Sequence, residues 1–192
     1  MQQTTPGGVI VAPWGTYYAY TEATARLVVA EDGNSASGHF TQPVNFMRVR
    51  SHRLVRAEHS SYVPARATGD ADKSTTTITE PEFLTGSLDV EACAVGLQVP
   101  NCAHVPDRKQ AGKRPVRFHS LTDKSWAVVV FRDGHATATV YQSGDRRLWD
   151  EVEAAFRWWQ EQGRPGFHRF GPTVTADRQV PWPDQPSNAL SG

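Results

Sequence analysis

Residues 5–15 are Thr-Pro-Gly-Gly-Val-Ile-Val-Ala-Pro-Trp-Gly, a turn sequence followed by an apolar run. Its Pro-Gly-Gly start predicts a tight turn, because proline presets one backbone dihedral and glycine tolerates the left-handed region. The β-branched run that follows, closed by Pro13 and Gly15, predicts a buried strand. A buried strand needs hydrogen-bonding neighbours on both edges. We therefore expect it to pair with later sequence, or to belong to a larger fold whose first part is missing.

The composition predicts a folded protein with an aromatic-rich core. The chain has 192 residues, enough for one substantial domain or two small ones. Hydrophobic residues make up 39%, with six Trp, eight Phe and five Tyr, which is too apolar for wholesale disorder. Twenty basic and twenty acidic residues cancel. Bulk electrostatic binding to nucleic acid or to an acidic membrane is therefore not expected.

Nothing in the sequence predicts a membrane or secreted protein. No stretch approaches the ~20 apolar residues that span a bilayer. The N-terminus also lacks the basic region and apolar core of a secretory signal. The two cysteines, Cys93 and Cys102, are too few for a disulfide framework and predict reduced thiols. We therefore expect a cytoplasmic protein.

The first 50 residues predict a β-rich unit. Apolar runs on both sides of Asp32-Gly33 predict a hairpin, since an Asp-Gly pair suits the tight turns of hairpins. Residues 44–49 alternate between apolar and polar side chains, which predicts a half-buried strand. From residue 51 to residue 74 this regularity is lost, and we expect an exposed loop or linker.

The rest of the chain predicts a mixture of strands and helices. The clearest hairpin joins residues 126–131 to residues 136–141 through Asp133-Gly134. Apolar side chains recur at helical spacing over 148–159, with Gly144-Asp145 as the expected cap. Residues 107–114 are polar and predict a loop. The other predicted elements are a strand at 75–79, a helical turn at 81–84, a helix at 89–97, and strands at 170–175 and 179–182.

These elements predict an α/β protein of the α+β type, in which antiparallel β-hairpins pack with two or three helices. The predicted order is a β-hairpin unit at 1–50, a linker at 51–74, an α+β domain at 75–185 and a frayed tail at 186–192.

The sequence contains no strong reactive motif. There is no Gly-x-Gly-x-x-Gly or P-loop, and the seven histidines form no His-x-His or His-x-x-x-His pair. Cys102-Ala103-His104 supplies half of the ligands that a tetrahedral zinc needs. Cys102 with His119 is one conceivable nucleophile and base, and a loop cysteine near the surface is the alternative. We expect no catalytic, cofactor-binding or metal-ligating residue in this chain.

The opening stretch carries a resemblance to a known family. Its Pro-Gly-Gly turn and apolar strand resemble a segment found late in the Rossmann-like domain of many S-adenosylmethionine-dependent methyltransferases. The continuation resembles the protein L-isoaspartate O-methyltransferase family in particular. The segments that carry this likeness are Ala12-Pro13-Trp14-Gly15, residues 25–29 and Asp32-Gly33.

Three further segments look like the C-terminal extension of a bacterial branch of that family. They are Phe46-Met47-Arg48, residues 148–159 with the exit Gly163-Arg164-Pro165-Gly166, and Arg169-Phe170-Gly171 with Thr173-Val174-Thr175. Members of that branch methylate an Asp side chain in ribosomally synthesised, post-translationally modified peptides.

The resemblance covers the second half of the family's protein. It implies that this chain is the remnant of the last strands of a Rossmann-like sheet plus a C-terminal extension. The S-adenosylmethionine site and the catalytic residues of the complete protein would lie upstream, so the resemblance implies no cofactor in this chain. It implies peptide-substrate contacts at Trp14, Phe46 and Met47, for which core packing is the competing interpretation.

Two hypotheses about function follow. The chain is the C-terminal region of a methyltransferase-like protein, inactive alone, whose partner half is encoded separately or lost by truncation of the gene. Alternatively, it is a stand-alone binding module for a precursor peptide or a partner methyltransferase. In both cases an unpaired N-terminal strand is exposed. We expect residues 6–49 to dock on the C-terminal half, to recruit a partner or to self-associate.

Overall fold

The computed structural model describes residues 4–19, 22–47, 58–63, 71–86 and 90–190. Within these ranges the chain forms two five-stranded antiparallel sheets and three α-helices. The strands are β1 (Val9–Trp14), β2 (Glu22–Val29), β3 (Ser35–Val44), β4 (Asp72–Thr76), β5 (Cys102–Pro106), β6 (Lys113–Ser120), β7 (Trp126–Arg132), β8 (Ala138–Ser143), β9 (Phe170–Thr175) and β10 (Gln179–Pro183). The helices are α1 (Glu80–Phe83), α2 (Val90–Gln98) and α3 (Leu148–Glu161).

The N-terminal sheet has the strand order β1-β2-β3-β9-β10, and the C-terminal sheet has the order β4-β8-β7-β6-β5. The expected α+β class with antiparallel hairpins is confirmed, as are the helices predicted at 81–84, 89–97 and 148–159. Both Asp-Gly hairpins form, as β2–β3 and β7–β8. No helix within the described ranges has both the length and the apolar character needed to cross a bilayer.

The opening strand is an edge strand, which corrects the prediction of a buried one. Among the described residues, β1 pairs with β2 alone. Its side chains alternate, so that Val9 and Val11 are exposed while Ile10 and Trp14 are half-buried. An edge strand needs only one apolar face. The β-branched run therefore reflects strand formation, and its outer side chains stay in contact with solvent.

The first residues of the chain dock on its last strands. β3 pairs with β9, with Ser35 opposite Thr175 and Ser37 opposite Thr173. The hydroxyl groups of Ser37 and Thr173 lie 2.9 Å apart and share a hydrogen bond. The N-terminal sheet therefore contains strands from both sides of the predicted linker. The division of the chain into units stays a prediction.

Two strands were missed in the sequence. β5 contains Cys102, which was expected in a loop, and β6 begins at Lys113 inside the predicted loop at 107–114. Proline is depleted in strands and lysine to a lesser degree, and both stand in the first half of β6. Its inward side chains, Val116 and Phe118, are fully buried and supply the apolar face.

Two predicted boundaries are also wrong. β3 ends at Val44, so Asn45, Phe46 and Met47 lie outside any strand, and the rest of the predicted strand at 44–49 lies outside the described residues. β4 begins at Asp72, within the predicted linker. The polar sequence of β4 does not predict a strand at this position. The strand is held by its backbone hydrogen bonds to β8.

The core joins both sheets and the helices into one apolar cluster. α3 packs on β6, β7 and β8 and contacts α2. The expected cap at Gly144-Asp145 is replaced by Gln142, a fully buried side chain on β8. Its Oε1 accepts a hydrogen bond from the Trp149 N–H at 3.1 Å, and its Nε2 donates to Asp150 at 2.7 Å. One amide thereby satisfies a free N–H of the first helical turn.

Candidate functional site

The three residues expected to contact a peptide line one groove. Trp14, Phe46 and Met47 border an open cavity of about 840 Å³ over one face of the N-terminal sheet, here called the sheet groove. Its other lining residues are Ile10, Ala12, Pro13, Gly15, Tyr17, Glu22, Ala25, Leu27, Ala36, Val174 and Gln179. A volume of this size lies within the range of binding clefts.

The strand register explains why the groove exists. Ala12 lies opposite Ala25 on β1 and β2, and Ala36 on β3 lies opposite Val174 on β9. Residues that lie opposite each other share a face of the sheet. Three alanine side chains on adjacent strands therefore leave space above the sheet where larger side chains would fill it.

Trp14 forms one wall of the groove. Its indole Nε1 donates a hydrogen bond to Gln179 Oε1 at 2.7 Å, which links the two edge strands β1 and β10 across the groove. Its ring centroid lies 5.2 Å from that of the buried Phe40. Trp14 thus packs against the core and also lines the groove, and these contacts hold its side chain in one orientation.

Phe46 and Met47 follow β3 after one intervening residue, Asn45, and are not core residues. Their side chains are 61% and 87% exposed. Large apolar side chains exposed side by side at the border of a cleft are typical of interaction sites. Core packing does not account for these two residues, and contact with a peptide stays a prediction for all three.

The free edge of β1 borders the same groove. Among the described residues nothing pairs with the outer edge of β1, so its backbone N–H and C=O groups on that side have no strand partner. Peptides bind such edges by adding a strand, with main-chain hydrogen bonds giving affinity and side-chain pockets giving specificity. An edge and an apolar groove therefore lie next to each other here.

Comparison with protein-family models, curated proteins and solved structures finds no match to this chain.

The Cys102 and His119 pair is not a catalytic dyad. Cys102 lies opposite Ser120, and Ala103 lies opposite His119. Because neighbours along a strand point to opposite faces, the Cys102 and His119 side chains lie on opposite sides of the sheet. Burial raises the pKa of Cys102 to about 12, which keeps the thiol protonated. The expectation of a surface loop cysteine is also wrong, since Cys102 is buried in β5.

His119 instead belongs to a histidine pair that the sequence did not predict. His59 Nδ1 and His119 Nε2 lie 2.9 Å apart and share a hydrogen bond. Tyr62 donates to the Ser120 carbonyl at 2.8 Å, so residues 58–63 are fastened to β6. The two histidines are 60 residues apart in sequence. Within the described residues, no group of three or more potential ligands that could hold a metal ion is found.

We predict that acid loosens residues 58–63 from β6. Burial, and after it the positive charge of Arg117, lower the pKa of His59 below its usual value, while Asp107 opposes the shift. A histidine with a lowered folded-state pKa contributes its full stability above its unfolded pKa of about 6.5. That stability is lost as the pH falls from there toward the lowered folded-state value.

Hydrogen exchange of the Tyr62 and Val63 amides, which donate to the His59 carbonyl, measures this loss. The protection factors are expected to fall between pH 7.5 and pH 5, because the opened segment binds the proton more readily than the folded one. His59→Gln should lower protection at neutral pH and flatten its pH dependence. A pH-independent protection factor in the unmodified chain would refute the prediction. Trp126, whose ring lies 5.9 Å from that of His59, gives a fluorescence readout of the same event.

Proposed function

We propose that the chain binds a peptide in the sheet groove. We propose further that it does so as the C-terminal region of a protein-(iso)aspartate O-methyltransferase-like protein that uses S-adenosylmethionine. The observation that supports this best is the position of Trp14, Phe46 and Met47. Trp14 lies 32 positions before the adjacent pair Phe46 and Met47. The resemblance implies substrate contact for all three, and all three border one groove.

The chemistry of the groove favours binding over catalysis. Among its described lining residues, Glu22 alone carries a formal charge, and its side chain is buried. The remaining wall is mostly apolar, with the polar groups of Trp14 and Gln179 bonded to each other. Such a surface orients a substrate by excluding water from its apolar side chains. The reacting groups would then come from elsewhere, in agreement with a catalytic half outside this chain.

An extended peptide fits the groove and the edge together. A strand added to β1 would hydrogen-bond to its free backbone groups and point alternate side chains over the sheet face that carries Ile10 and Trp14. The intervening side chains would lie beside Val9 and Val11, which are exposed on the opposite face. The preferred ligand is therefore a peptide with apolar side chains around the modified Asp.

The test is calorimetric titration of a synthetic peptide that carries Asp between apolar residues. Trp14→Ala should weaken binding at least about tenfold, because aromatic anchors dominate binding energy. Val11→Ala is the matched control, since Val11 lies on the same strand and faces the other side of the sheet. It should weaken binding far less than Trp14→Ala does, because Val11 does not line the groove. Equal affinities of the Trp14→Ala and Val11→Ala variants would contradict the proposal.

The alternative is a stand-alone, non-catalytic binding module for a precursor peptide or a partner methyltransferase. The mostly apolar lining of the groove suits this version equally. The two are separated by adding a separately encoded methyltransferase half and S-adenosylmethionine to the chain and the peptide. Methyl transfer to the Asp that requires both proteins favours the split enzyme. Peptide binding without any such transfer favours the module, and in either case we expect the chain alone not to bind S-adenosylmethionine.

A further inference from the structure

A second cavity, of about 310 Å³, lies between α1, α2 and the inner face of β5 and β6. It is called the Tyr18 pocket here. Its wall is formed mainly by Tyr18, Phe83, Glu91, Val95, His104 and Arg114. None of these residues lines the sheet groove, so the pocket is a separate site.

Backbone and ring contacts hold the polar side of the pocket in place. The His104 N–H donates to the Tyr18 carbonyl at 2.8 Å, which fixes residues 16–19 against β5. The Tyr18 ring stacks on the His104 ring with centroids 5.0 Å apart. His104 in turn stacks on Phe118, its partner in β6, at 5.3 Å. The pocket is thus preformed rather than a gap between mobile side chains.

Two donor groups in this wall are buried without a hydrogen-bond partner among the described residues. They are the Tyr18 hydroxyl and the Arg114 Nε–H. Tyr18 is only 2% exposed. Burial, and after it the neighbouring Cys102 and Glu91, raise the pKa of Tyr18, so its hydroxyl keeps its proton at neutral pH. Buried donors in native proteins nearly always have an acceptor. Two of them in one pocket wall indicate a ligand that supplies acceptor oxygen.

The charges of the pocket limit the ligand further. Glu91 is 5% exposed and accepts a hydrogen bond from Thr85 Oγ1 at 2.6 Å. Arg114 supplies the opposite charge and lies 3.4 Å from Glu80. A ligand with a net charge would be attracted to one of the two facing groups and repelled by the other. It would also lose its hydration in an otherwise apolar pocket. A net-neutral ligand avoids both costs.

We propose that the Tyr18 pocket binds a small, net-neutral molecule with an apolar body and an amide-like head group. The carbonyl oxygen of the head group supplies the acceptor that Tyr18 and Arg114 lack, and its N–H group faces the Glu91 carboxylate. The apolar body packs against Phe83 and Val95. This proposal does not depend on peptide binding in the sheet groove.

Three probes that share one aromatic body test the proposal. Phenylacetamide is neutral, phenylacetate is an anion and phenethylammonium is a cation. In an NMR titration, phenylacetamide should shift the backbone amide signals of Val95 and His104 in a saturable way. Each charged probe should bind at least about tenfold more weakly, because a buried charge without a full partner is disfavoured. Saturation by a charged probe at the same or a lower concentration would overturn the proposal.

Tyr18→Phe and Tyr17→Phe form a matched pair of variants. Tyr17 is the neighbouring phenol, is 40% exposed and lines the sheet groove instead. Tyr18→Phe should weaken phenylacetamide binding several-fold, while Tyr17→Phe should leave it unchanged. Tyr18→Phe removes a hydroxyl that has no hydrogen-bond partner among the described residues, so the melting temperature should not fall.

Three results would refute the site. They are the absence of saturable shifts with all three probes, equal phenylacetamide affinity in both variants, and a marked loss of stability in Tyr18→Phe. The first would mean that solvent alone satisfies the two donors. If the unmodified chain binds phenylacetamide but not the peptide, the proposed function is rejected and the Tyr18 pocket is still supported.

Discussion

Phe83→Ala is expected to lower the free energy of unfolding by about 3–5 kcal/mol, the usual cost of removing a buried phenylalanine ring. For a chain of this length the melting temperature should fall by roughly 6–20 °C. The reason is the position of the ring, which is 3% exposed. Its centroid lies 5.4–6.2 Å from those of His104, Phe118, Phe131, Trp149 and Phe156.

The expected loss of stability in Phe83→Ala is large because few other interactions among the described residues hold α1 in place. This helix has four residues, and its capping box joins Thr79 and Glu82 at the surface. Helices this short are not stable by themselves. The aromatic contacts of Phe83 therefore hold α1 against the core, and removing the ring should loosen α1 together with the wall of the Tyr18 pocket.

Two variants serve as controls for Phe83→Ala. Phe83→Leu keeps an apolar side chain and should cost less than half as much. Phe46→Ala removes a ring that is 61% exposed and should leave the melting temperature almost unchanged. Thermal unfolding followed by circular dichroism measures all three. Similar melting temperatures for Phe83→Ala and Phe46→Ala would show that Phe83 does not support the core.

Gly96→Ala is expected to destabilise the protein by about 1–3 kcal/mol, as overpacking does. In an ordinary helix interior the same change stabilises by roughly 0.5–1 kcal/mol. The difference arises because α2 passes close to residues 16–18. A Cβ built on Gly96 would lie 2.8 Å from Tyr18 Cβ and closer still to Thr16 Oγ1. One of the two backbone segments must move to make room.

A double-mutant cycle with Thr16→Ala isolates this contact. Removing the Thr16 side-chain oxygen frees part of the space, so the double variant should recover part of the loss caused by Gly96→Ala. Additive effects of the two substitutions would show that the close approach is not the cause. Gly96→Ala should also weaken phenylacetamide binding, because it displaces Tyr18 from the wall of the pocket.

The elements that the sequence predicted correctly are those with a local signal. Asp32-Gly33 and Asp133-Gly134 marked both hairpins by turn chemistry alone. The helix α3 was visible because its buried side chains, among them Trp149 and Phe156, recur at helical spacing. β6 was missed because Arg114, Pro115 and Arg117 interrupt its alternation, and its stability comes from pairing with β5 and β7 on both sides.

The candidate sites also divide into those with a local sequence signal and those without one. Trp14, Phe46 and Met47 were found through a resemblance that lies in continuous segments of sequence. The Tyr18 pocket was not found, because Tyr18 and Arg114 come from distant segments and neither has a distinctive local sequence. The histidine pair is similar, since nothing near His59 or His119 indicates the other. Tertiary contacts bring these residues together: the His104 N–H bonds to the Tyr18 carbonyl, and the Tyr62 hydroxyl bonds to the Ser120 carbonyl.

The pairing of β3 with β9 also determines when the N-terminal sheet can be completed during translation. Ser35 pairs with Thr175, so about 140 residues separate the two strands along the chain. At about 5–20 residues per second, the ribosome needs roughly 7–30 s to make the second strand after the first. During this interval β1, β2 and β3 are made before β9, and the edge of β3 that later pairs with β9 has no partner among the described strands made so far. The nascent chain is therefore most exposed to wrong pairing, and most accessible to a chaperone or a cognate partner, before β9 has been translated.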